Sequence, residues 1–286
     1  MLMDFIIRKY VFLETCPNYN ASAEMIFFRA IKYLNYILLS SHRKGHGIHS
    51  PFVYDLVSKV FRRKTDPSVI FKVEPVRKKL ISDNRRISVK DLGSRSGSLK
   101  TNLRKVSEIA RYSAVPVKYG RFLSNMAAEF GQQLIIELGT SLGISAMYLA
   151  ASCPDSVVCT VEGCPITAGV ARQNFVEAGF KNIMVLVGPF EEILPGFATI
   201  GVTPGLVFID GNHRKEPVIK YFNLMAELSD TSTVIIIDDI DYSKEMAEAW
   251  DKIRLHKKVS VSIDIFRMGI LFFREGINHN NYRIRY

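Results

Sequence analysis

The sequence predicts an α/β protein with a mainly parallel β-sheet, preceded by a basic and mainly helical extension. From residue 131 onward, short aliphatic runs alternate with segments of helical periodicity, which indicates parallel strands covered by helices. The last two apolar runs are joined by too few residues for a parallel crossover, so they form an antiparallel pair. Residues 1–130 lack this alternation and hold 24 Lys and Arg against 10 Asp and Glu, whereas residues 131–286 hold 14 against 18.

Five aliphatic runs predict the parallel strands: LIIEL, VVCTVE, IMVLVG, LVFID and TVIIIDD. Helices are expected to start near Ser141, Ile166, Glu191 and Glu216. The segment KKVSVSIDIFRMGILFFRE divides into two strands around Arg267, Met268 and Gly269, which predicts a C-terminal hairpin and a sheet of seven strands in all.

The chain is expected to divide into an N-terminal extension or cap, residues 1–130, and a ligand-binding domain, residues 131–286. In the extension, apolar residues at helical spacing predict a helix from Ala23 to Leu39. Its apolar stripe is expected to pack on the rest of the protein and consists of Ile26, Phe27, Ala30, Ile31, Leu34, Ile37 and Leu38. VYDLVSKVFRR also has helical spacing, and we expect Pro67 and Pro75 to interrupt the chain after it. SLKTNLRKVSEIARYS predicts a further amphipathic helix.

The composition indicates the cellular compartment that we expect for the protein. Apolar residues make up 48% of the chain, enough for a full core, but no uninterrupted apolar run approaches the roughly 20 residues that cross a bilayer. The N-terminus lacks the features of a secretion signal, and the four cysteines have no metal-site spacing, so we expect reduced thiols in the cytoplasm. The basic clusters are typical of solvated helix faces, so nucleic acid is a disfavoured partner; an oligomer remains open.

Two glycine-rich segments have the same pattern: DLGSRSG at residues 91–97 and ELGTSLG at residues 137–143. A glycine loop binds a nucleotide-like ligand when a buried strand precedes it and a helix follows it. Only the second segment has a strongly apolar strand before it. It is also followed, about twenty residues later, by an acid at a strand end, Glu162, which is where a ribose-binding carboxylate belongs. Gly139 to Gly143 is therefore the predicted cofactor loop, with a plain strand-to-helix turn as the alternative.

The order of these motifs resembles that of the class I S-adenosylmethionine-dependent methyltransferases. ELGTSLG corresponds to their first motif and Glu162 to their ribose acid, and VGPFEE, FIDGNH and IIIDDI follow the third, fourth and fifth strands. FIDGNHRKEPVIKYFN and VIIIDDIDYSKEMAEAW are similar to the small-molecule O-methyltransferase branch. GIHSPFVYDL resembles the N-terminal segment of uncharacterised methyltransferases from Bacteroidetes-type bacteria. The resemblance covers residues 131–275 and implies a Rossmann-like sheet.

The resemblance also implies a role for each cofactor-binding residue. Glu137 is expected to bind the amino group of S-adenosylmethionine, and Glu162 the two ribose hydroxyls. The other predicted roles are close backbone approach at Gly139 and Gly143, carboxylate binding by the hydroxyls of Thr140 and Ser141, and an adenine wall at Gly188, Pro189 and Phe190. Phe190 fits a core position equally well.

Three carboxylates follow neighbouring strands of the predicted sheet, Asp210, Asp238 and Asp239. Hard oxygen ligands suit Mg²⁺ or another divalent cation, and a comparable arrangement in several relatives holds a metal that chelates the substrate hydroxyls. Ile240 departs from the Asn found in some metal-dependent relatives. In the alternative interpretation, Asp210 meets the sulfonium side of the cofactor and one of the paired acids caps the next helix.

His213 is a candidate general base because imidazole titrates near the working pH, with Asp210 and Asp239 as competing bases. His46 and His49 lie in the loop GHGIHSPF, which is either a lid over the site or a rigid connection.

The function indicated is methyl transfer from S-adenosylmethionine to a hydroxyl of a small bacterial metabolite, with an amine as the less favoured acceptor. A nucleic-acid methyltransferase would use the basic extension, but DGNH stands where an NPPY-type loop is expected. A non-catalytic cofactor-binding module would not need the three carboxylates. Other chemistry on the same scaffold is the remaining alternative, because a fold does not determine a reaction.

Overall fold

A computed structural model describes residues 19–40, 48–90, 102–199 and 201–286 of the 286-residue chain. The first glycine segment, residues 91–97, lies outside the described residues, as do Cys16 and His46.

The extension contains five helices and a small hairpin among its described residues. They are α1 (Tyr19–Leu39), α2 (Pro51–Asp55, continued by a π-helical turn at Leu56–Phe61), α3 (Pro67–Ile81), β1 (Arg86–Val89), β2 (Asn102–Lys105), α4 (Val106–Tyr112) and α5 (Val117–Phe130).

The second part alternates strands and helices as predicted. Its elements are β3 (Leu134–Leu138), α6 (Ile144–Ala151), β4 (Val157–Glu162), α7 (Pro165–Glu177), β5 (Ile183–Val187), α8 (Phe190–Phe197), β6 (Leu206–Ile209), α9 (Lys215–Glu227), β7 (Val234–Ile237), α10 (Lys244–Ile253), β8 (Val261–Asp264), β9 (Gly269–Phe272) and β10 (Asn280–Arg283).

The main sheet has the strand order β10-β8-β9-β7-β6-β3-β4-β5. Strands β3 to β7 are mutually parallel, and β9 pairs antiparallel with both β7 and β8, so the five-strand core and the hairpin are confirmed. The sheet nevertheless has eight strands rather than seven, because β10 pairs in parallel with β8 at the edge. The sequence of β10, NNYR, is polar and lacks the aliphatic pattern that identified the other strands.

Two predictions for the extension were wrong in detail. Within the segment SLKTNLRKVSEIARYS, residues 102–105 pair with β1 as a separate antiparallel hairpin and the helix begins at Val106, whereas residues 98–101 lie outside the described residues. Of the two predicted proline breaks, the one at Pro67 occurs, since the preceding helical segment ends at Phe61 and a new helix begins at Pro67, whereas Pro75 does not break the chain. Pro67 is in the first turn of α3, where the missing N–H of proline costs no hydrogen bond, and Pro75 lies within the same helix.

The sheet separates two hydrophobic cores. Alternate strand residues point to opposite faces, so that Val234 and Ile236 contact one core while Ile235 and Ile237 contact the other. The first core includes buried side chains of the extension as well as of α6 and α7, and the second includes those of α8, α9 and α10. The extension therefore completes one face of the sheet.

Helix α1 packs through a different face from the predicted apolar stripe. Tyr36 is buried and donates a hydrogen bond to the carbonyl of Ile284 at 2.7 Å, and the rings of Tyr33 and Tyr36 contact Phe266 in the β8–β9 turn. Phe27 and Leu38, both in the predicted stripe, are 69% and 78% exposed. The aromatic contacts with the hairpin turn determine which face packs. No helix within the described ranges has both the length and the apolar character needed to span a membrane.

Replacing Phe122 by Ala is expected to lower the free energy of unfolding by about 3–5 kcal/mol. Phe122 is fully buried, and its ring lies 5.0 Å from that of Phe61 and 5.0 Å from that of Tyr286, so truncation leaves a cavity in the first core. Urea unfolding measures the change. Phe71→Ala is the matched control, because this ring is 78% exposed. Equal losses in the two variants would contradict the proposed packing of α5.

Candidate active site

A cavity of about 640 Å³ opens at the carboxyl edge of the parallel strands. Its wall includes the loop between β3 and α6, the ends of β4, β6 and β7, and the β8–β9 turn. The extension contributes Val89, Lys90, Arg104, Ile109 and the segment 112–115. The predicted site residues that line the cavity are Gly139, Thr140, Ser141, Glu162, Pro189, Phe190, Asp210, His213 and Asp239.

The second glycine segment connects β3 to α6 and has the backbone conformation that glycine favours. Gly139 has φ 108°, and a Cβ there would lie 2.2 Å from the carbonyl oxygen of Asp210. Gly143 has φ 87°, and a Cβ there would lie 2.4 Å from the ring of Phe175. Both glycines therefore allow close packing within the protein itself, at the base of the loop, in addition to the predicted backbone approach to a ligand.

Glu137 is fully buried beneath this loop. Its Oε2 accepts a hydrogen bond from the Thr160 hydroxyl at 2.5 Å, and the hydroxyls of Thr160 and Thr140 lie 2.6 Å apart. The Thr140 hydroxyl is thus already hydrogen-bonded within the protein, which does not fit its predicted role as a donor to the cofactor carboxylate. Within the described residues, Glu137 Oε1 has no hydrogen-bond partner.

Burial raises the pKa of Glu137 to about 7, and the nearby hydroxyls of Ser145 and Thr160 oppose the rise. A buried carboxylate oxygen without a donor is costly unless a ligand supplies one. Glu137 is not among the residues that line the cavity, but a positively charged amino group that reached Oε1 beside the glycine loop would fit this requirement.

Glu162, the last residue of β4, is oriented by two backbone amides. Its Oε2 accepts from the N–H of Ser141 at 2.8 Å, and its Oε1 accepts from the N–H of Cys164 at 2.9 Å. The extension reaches the same place, since the N–H of Lys90 lies 3.3 Å from Cys164 Sγ. The structure therefore fixes the Glu162 carboxylate in the cavity wall next to the glycine loop, as a ribose-binding acid requires.

The predicted adenine wall is partly realised. Pro189 and Phe190 line the cavity, whereas Gly188 does not. Phe190 also packs against Tyr221, with the ring centroids 5.3 Å apart, so the cavity and core interpretations of this residue both apply. The Tyr221 hydroxyl donates to Glu191 at 2.7 Å and accepts from Asn212 at 3.1 Å.

Asp210 and His213 lie together in the wall of the same cavity. His213 Nε2 is 3.5 Å from Asp210 Oδ1, and the His213 ring is 6.2 Å from that of Tyr242. Burial, together with the negative charges of Asp238 and Asp239, raises the pKa of the Asp210 carboxyl well above its usual range. This pair can therefore accept a proton at a pH where an ordinary carboxylate would not.

The structure does not bring Asp210, Asp238 and Asp239 together as a metal site. Asp238 is fully buried, and the Arg267 guanidinium bonds both of its oxygens, with Nε at 2.9 and 3.2 Å and Nη2 at 2.7 Å. Nη2 is also 3.6 Å from Asp239 Oδ1. In the part of the chain that the structure describes, no group of three or more His, Cys, Asp or Glu side chains could hold a metal ion. The three carboxylates therefore do not fit a divalent cation, because both oxygens of Asp238 are already hydrogen-bonded to Arg267.

Burial by itself would lower the pKa of Arg267, but the charges of Asp238 and Asp239 outweigh it and the net pKa is raised. Arg267 is therefore a fixed positive charge in the cavity wall. Sequence reasoning treated this residue only as part of a hairpin turn. The available signal was a single arginine between two apolar strands, next to a sheet edge rich in carboxylates.

Sequence reasoning also missed Asn212, Tyr221 and Tyr242, which contact or line the site. Of the candidate lid residues, His49 is exposed and is not among those that line the cavity.

The chain matches a family model described as a methyltransferase domain, over residues 136–240. A catechol O-methyltransferase of Mycobacterium tuberculosis is 35% identical over 129 residues, covering 44% of this chain and 57% of the relative. A catechol O-methyltransferase of Niastella koreensis is 32% identical over 130 residues, covering 44% of this chain and 58% of the relative. The chain thus spans little more than half the length of these relatives.

Solved structures show the same fold. An O-methyltransferase from Streptomyces achromogenes in complex with S-adenosylmethionine superposes with a TM-score of 0.51 at 20% identity, covering 78% of this chain and 95% of that chain. An O-methyltransferase from Bacillus cereus in complex with S-adenosylhomocysteine gives a TM-score of 0.51 at 19% identity, covering 77% and 97%.

These findings confirm the class that the motif order indicated: the protein contains a methyltransferase domain with the class I fold. The relatives that it resembles in sequence are O-methyltransferases, as the predicted branch requires.

If Glu137 binds the cofactor amino group, affinity for S-adenosylhomocysteine should fall roughly tenfold for each pH unit below 7, because the protonated acid must lose its proton to pair with a cation. The raised pKa has the opposite effect on stability, which falls rather than rises over this pH range. Protonated Glu137 stabilises the free protein most below its unfolded value, and this contribution is lost as pH rises towards 7. Calorimetric titration between pH 5.5 and 7.5 measures the affinity. The Glu137→Gln variant should bind more weakly with little pH dependence, and parallel profiles in the two proteins would exclude this role.

Glu162→Ala is expected to weaken S-adenosylhomocysteine binding by about 1–3 kcal/mol, the cost of losing hydrogen bonds to a charged group. Glu177→Ala is the control, since that carboxylate lies on α7, outside the cavity wall, and pairs with Lys79. Calorimetry compares the two. An unchanged affinity in Glu162→Ala would remove this residue from the cofactor site.

Proposed function

We propose that this protein transfers a methyl group from S-adenosylmethionine to a hydroxyl oxygen of a small aromatic acceptor. The observation that carries the proposal is one cavity whose wall holds the glycine loop, Glu162, Asp210 and His213, with Glu137 buried beneath the loop. S-adenosylmethionine supplies, when bound, a methyl group on a positively charged sulfur that a nucleophilic oxygen can attack.

The cofactor side of the cavity is supported by charge and hydrogen bonding. Glu137 Oε1 is available for the amino group, and Glu162 is held by two amides in a position suited to ribose hydroxyls. Phe190 and Pro189 provide an apolar wall for the adenine. These residues would bind and orient the donor within the cavity that Asp210 and His213 also line.

The proton of the acceptor hydroxyl goes to the pair formed by His213 and Asp210. Their polar atoms are 3.5 Å apart, and the raised pKa of Asp210 favours proton uptake. Bound S-adenosylmethionine would supply the methyl carbon for the new bond to the acceptor oxygen and would retain the electrons of the broken carbon–sulfur bond, leaving as a neutral thioether.

The acceptor class that we propose is a catechol or a similar phenol. Support comes from two similar proteins named catechol O-methyltransferase and from the aromatic rings of Tyr242 and Tyr112 in the cavity wall. A nucleic acid is less well supported, since the cavity wall carries carboxylates that repel phosphates, and an amine is the less favoured acceptor because the two similar proteins are named O-methyltransferases.

Assistance by a divalent metal is the alternative form of this reaction that the three acidic residues predict. It would require Asp238 to exchange its hydrogen bonds with Arg267 for metal ligation. The present donor arrangement favours the metal-free form.

We also propose that residues 1–130 act as a cap on residues 131–286. The cavity wall combines residues of both parts, which supports this role. Cys153, Cys159 and Cys164 are free thiols, which supports a reducing, cytoplasmic setting.

His213→Gln should lower kcat for methylation of catechol by about 10²–10⁴-fold, the usual contribution of a general base. Binding of S-adenosylhomocysteine should stay within a few fold, because His213 lies on the acceptor side. A radiolabelled methyl-transfer assay and calorimetry provide the two readouts. His279→Gln is the control, since that ring is exposed and its Nδ1 lies 2.9 Å from the Val259 carbonyl, away from the cavity. If both variants retain full kcat, the base lies elsewhere.

A further inference from the structure

We propose that Arg267 is the resident cation of the acceptor site, where its guanidinium takes the place of a divalent metal and donates a hydrogen bond to an anionic oxygen of the acceptor. The inference rests on the proposed function and specifies the chemistry of its acceptor side.

The Arg267 side chain has a fixed position. Its Nε and Nη2 bond both oxygens of Asp238, and its Cζ lies over the ring of Tyr119 at 5.6 Å from the centroid. The backbone of the same turn is held as well, since the N–H of Ile240 donates to the carbonyl of Arg267 at 3.1 Å. This hydrogen bond ties the hairpin turn to the loop that carries Asp238 and Asp239. The guanidinium is therefore preorganised relative to the carboxylates.

The charges explain why a cation is needed here and why a metal is not. Asp238 is fully buried, and a buried carboxylate needs a positive partner. Arg267 provides that charge from within the chain and also lies near Asp239. A divalent ion at the same carboxylates would have to displace the guanidinium or lie beside a like charge.

Part of the hydrogen-bonding capacity of the Arg267 guanidinium is not used by Asp238. Its side chain is 24% exposed and lines the cavity with Asp210, His213 and Tyr242. Among the described residues, Nη1 has no hydrogen-bond partner, whereas Nε and Nη2 are both committed to Asp238. A guanidinium N–H directed at an oxygen that is losing its proton stabilises the negative charge that develops there.

The ligand class follows from this geometry. The acceptor oxygen must lie between a proton acceptor, the His213–Asp210 pair, and a cation, Arg267. A phenol meets both requirements, because its oxygen becomes a phenolate when the proton leaves. In this arrangement the cation that stabilises the phenolate belongs to the protein, and the reaction needs no added metal.

The first test measures metal binding without any turnover. The wild-type protein, Arg267→Ala and Arg283→Ala are titrated with Mn²⁺, Mg²⁺ and Ca²⁺ alone, by calorimetry and by thermal unfolding. Arg283→Ala is the matched control, since it removes another arginine–aspartate pair, Arg283 with Asp264 at 2.9 Å, away from the cavity.

We expect no ion to bind the wild-type protein or Arg283→Ala. Arg267→Ala should gain one Mn²⁺ site, because the loss of the guanidinium leaves the Asp238 and Asp239 carboxylates without their positive partner. One-to-one Mn²⁺ binding to the wild-type protein that disappears in Asp239→Asn would overturn the proposal. So would a folded Arg267→Ala variant that binds no ion.

The second test covers the case in which Arg267→Ala does not fold. The double variant Arg267→Met with Asp238→Asn removes both charges of the buried pair and keeps similar volumes, which favours folding. Its kcat/KM for catechol should fall about 10- to 100-fold, with S-adenosylhomocysteine binding unchanged, and wild-type activity should be insensitive to EDTA. Unchanged kcat/KM in the double variant, or loss of wild-type activity in EDTA that Mg²⁺ restores, would overturn the role of Arg267.

The two tests separate this inference from the proposed function. If the wild-type protein binds S-adenosylhomocysteine but methylates neither catechol nor other phenols, the proposed function fails. The metal titrations still decide whether Arg267 occupies the cation position.

Discussion

The close approach of the β3–α6 loop to the end of β6 is the constraint on which the site depends. Only glycine fits at position 139, because a Cβ there would lie 2.2 Å from the carbonyl oxygen of Asp210. This contact brings the cofactor loop and the acidic acceptor side against each other. A single strand order therefore places the glycine loop and the Asp210 carboxylate at the same edge of the sheet.

Electrostatic asymmetry follows from that geometry. Glu137 and Asp238 are both fully buried carboxylates near the sheet edge, but they are compensated in different ways. Asp238 has a permanent partner in Arg267, whereas Glu137 keeps one oxygen without a donor among the described residues. Charge is thus balanced internally on the acceptor side and left for a ligand to balance on the donor side. Asp238 is thus paired with a cation of the protein, whereas the cation that we propose for Glu137 belongs to the cofactor.

The extension contributes to both the core and the site. Its buried side chains form one core with the first face of the sheet, and its hairpin reaches Cys164 beside the ribose acid. Helix α1 packs on the β8–β9 turn through Tyr33 and Tyr36. Both rings contact Phe266, the residue before Arg267 in the chain. The extension is therefore positioned to influence acceptor binding through the turn that carries the guanidinium, a role that local sequence patterns do not display.

The sequence by itself determined the features that depend on local periodicity and spacing. The five parallel strands, the C-terminal hairpin, the choice of the second glycine segment and the class of fold all follow from aliphatic runs and motif order. Glu162 was found in the same way, because a strand end about twenty residues after the glycines is a position defined along the chain.

Only the tertiary structure decided which side chains meet. Arg267 reaches Asp238 across 29 positions of sequence because β9 pairs with β7, and this pairing removes Asp238 from the predicted metal site. Tertiary contacts also explain three other differences from the sequence predictions. The Thr140 hydroxyl is hydrogen-bonded to Thr160, and the polar strand β10 pairs with β8 at the edge of the sheet. Helix α1 packs through Tyr36 rather than through its predicted apolar stripe. Each of these outcomes depends on a partner that is distant in sequence, and charge pairing and packing with such partners leave no local pattern in the chain.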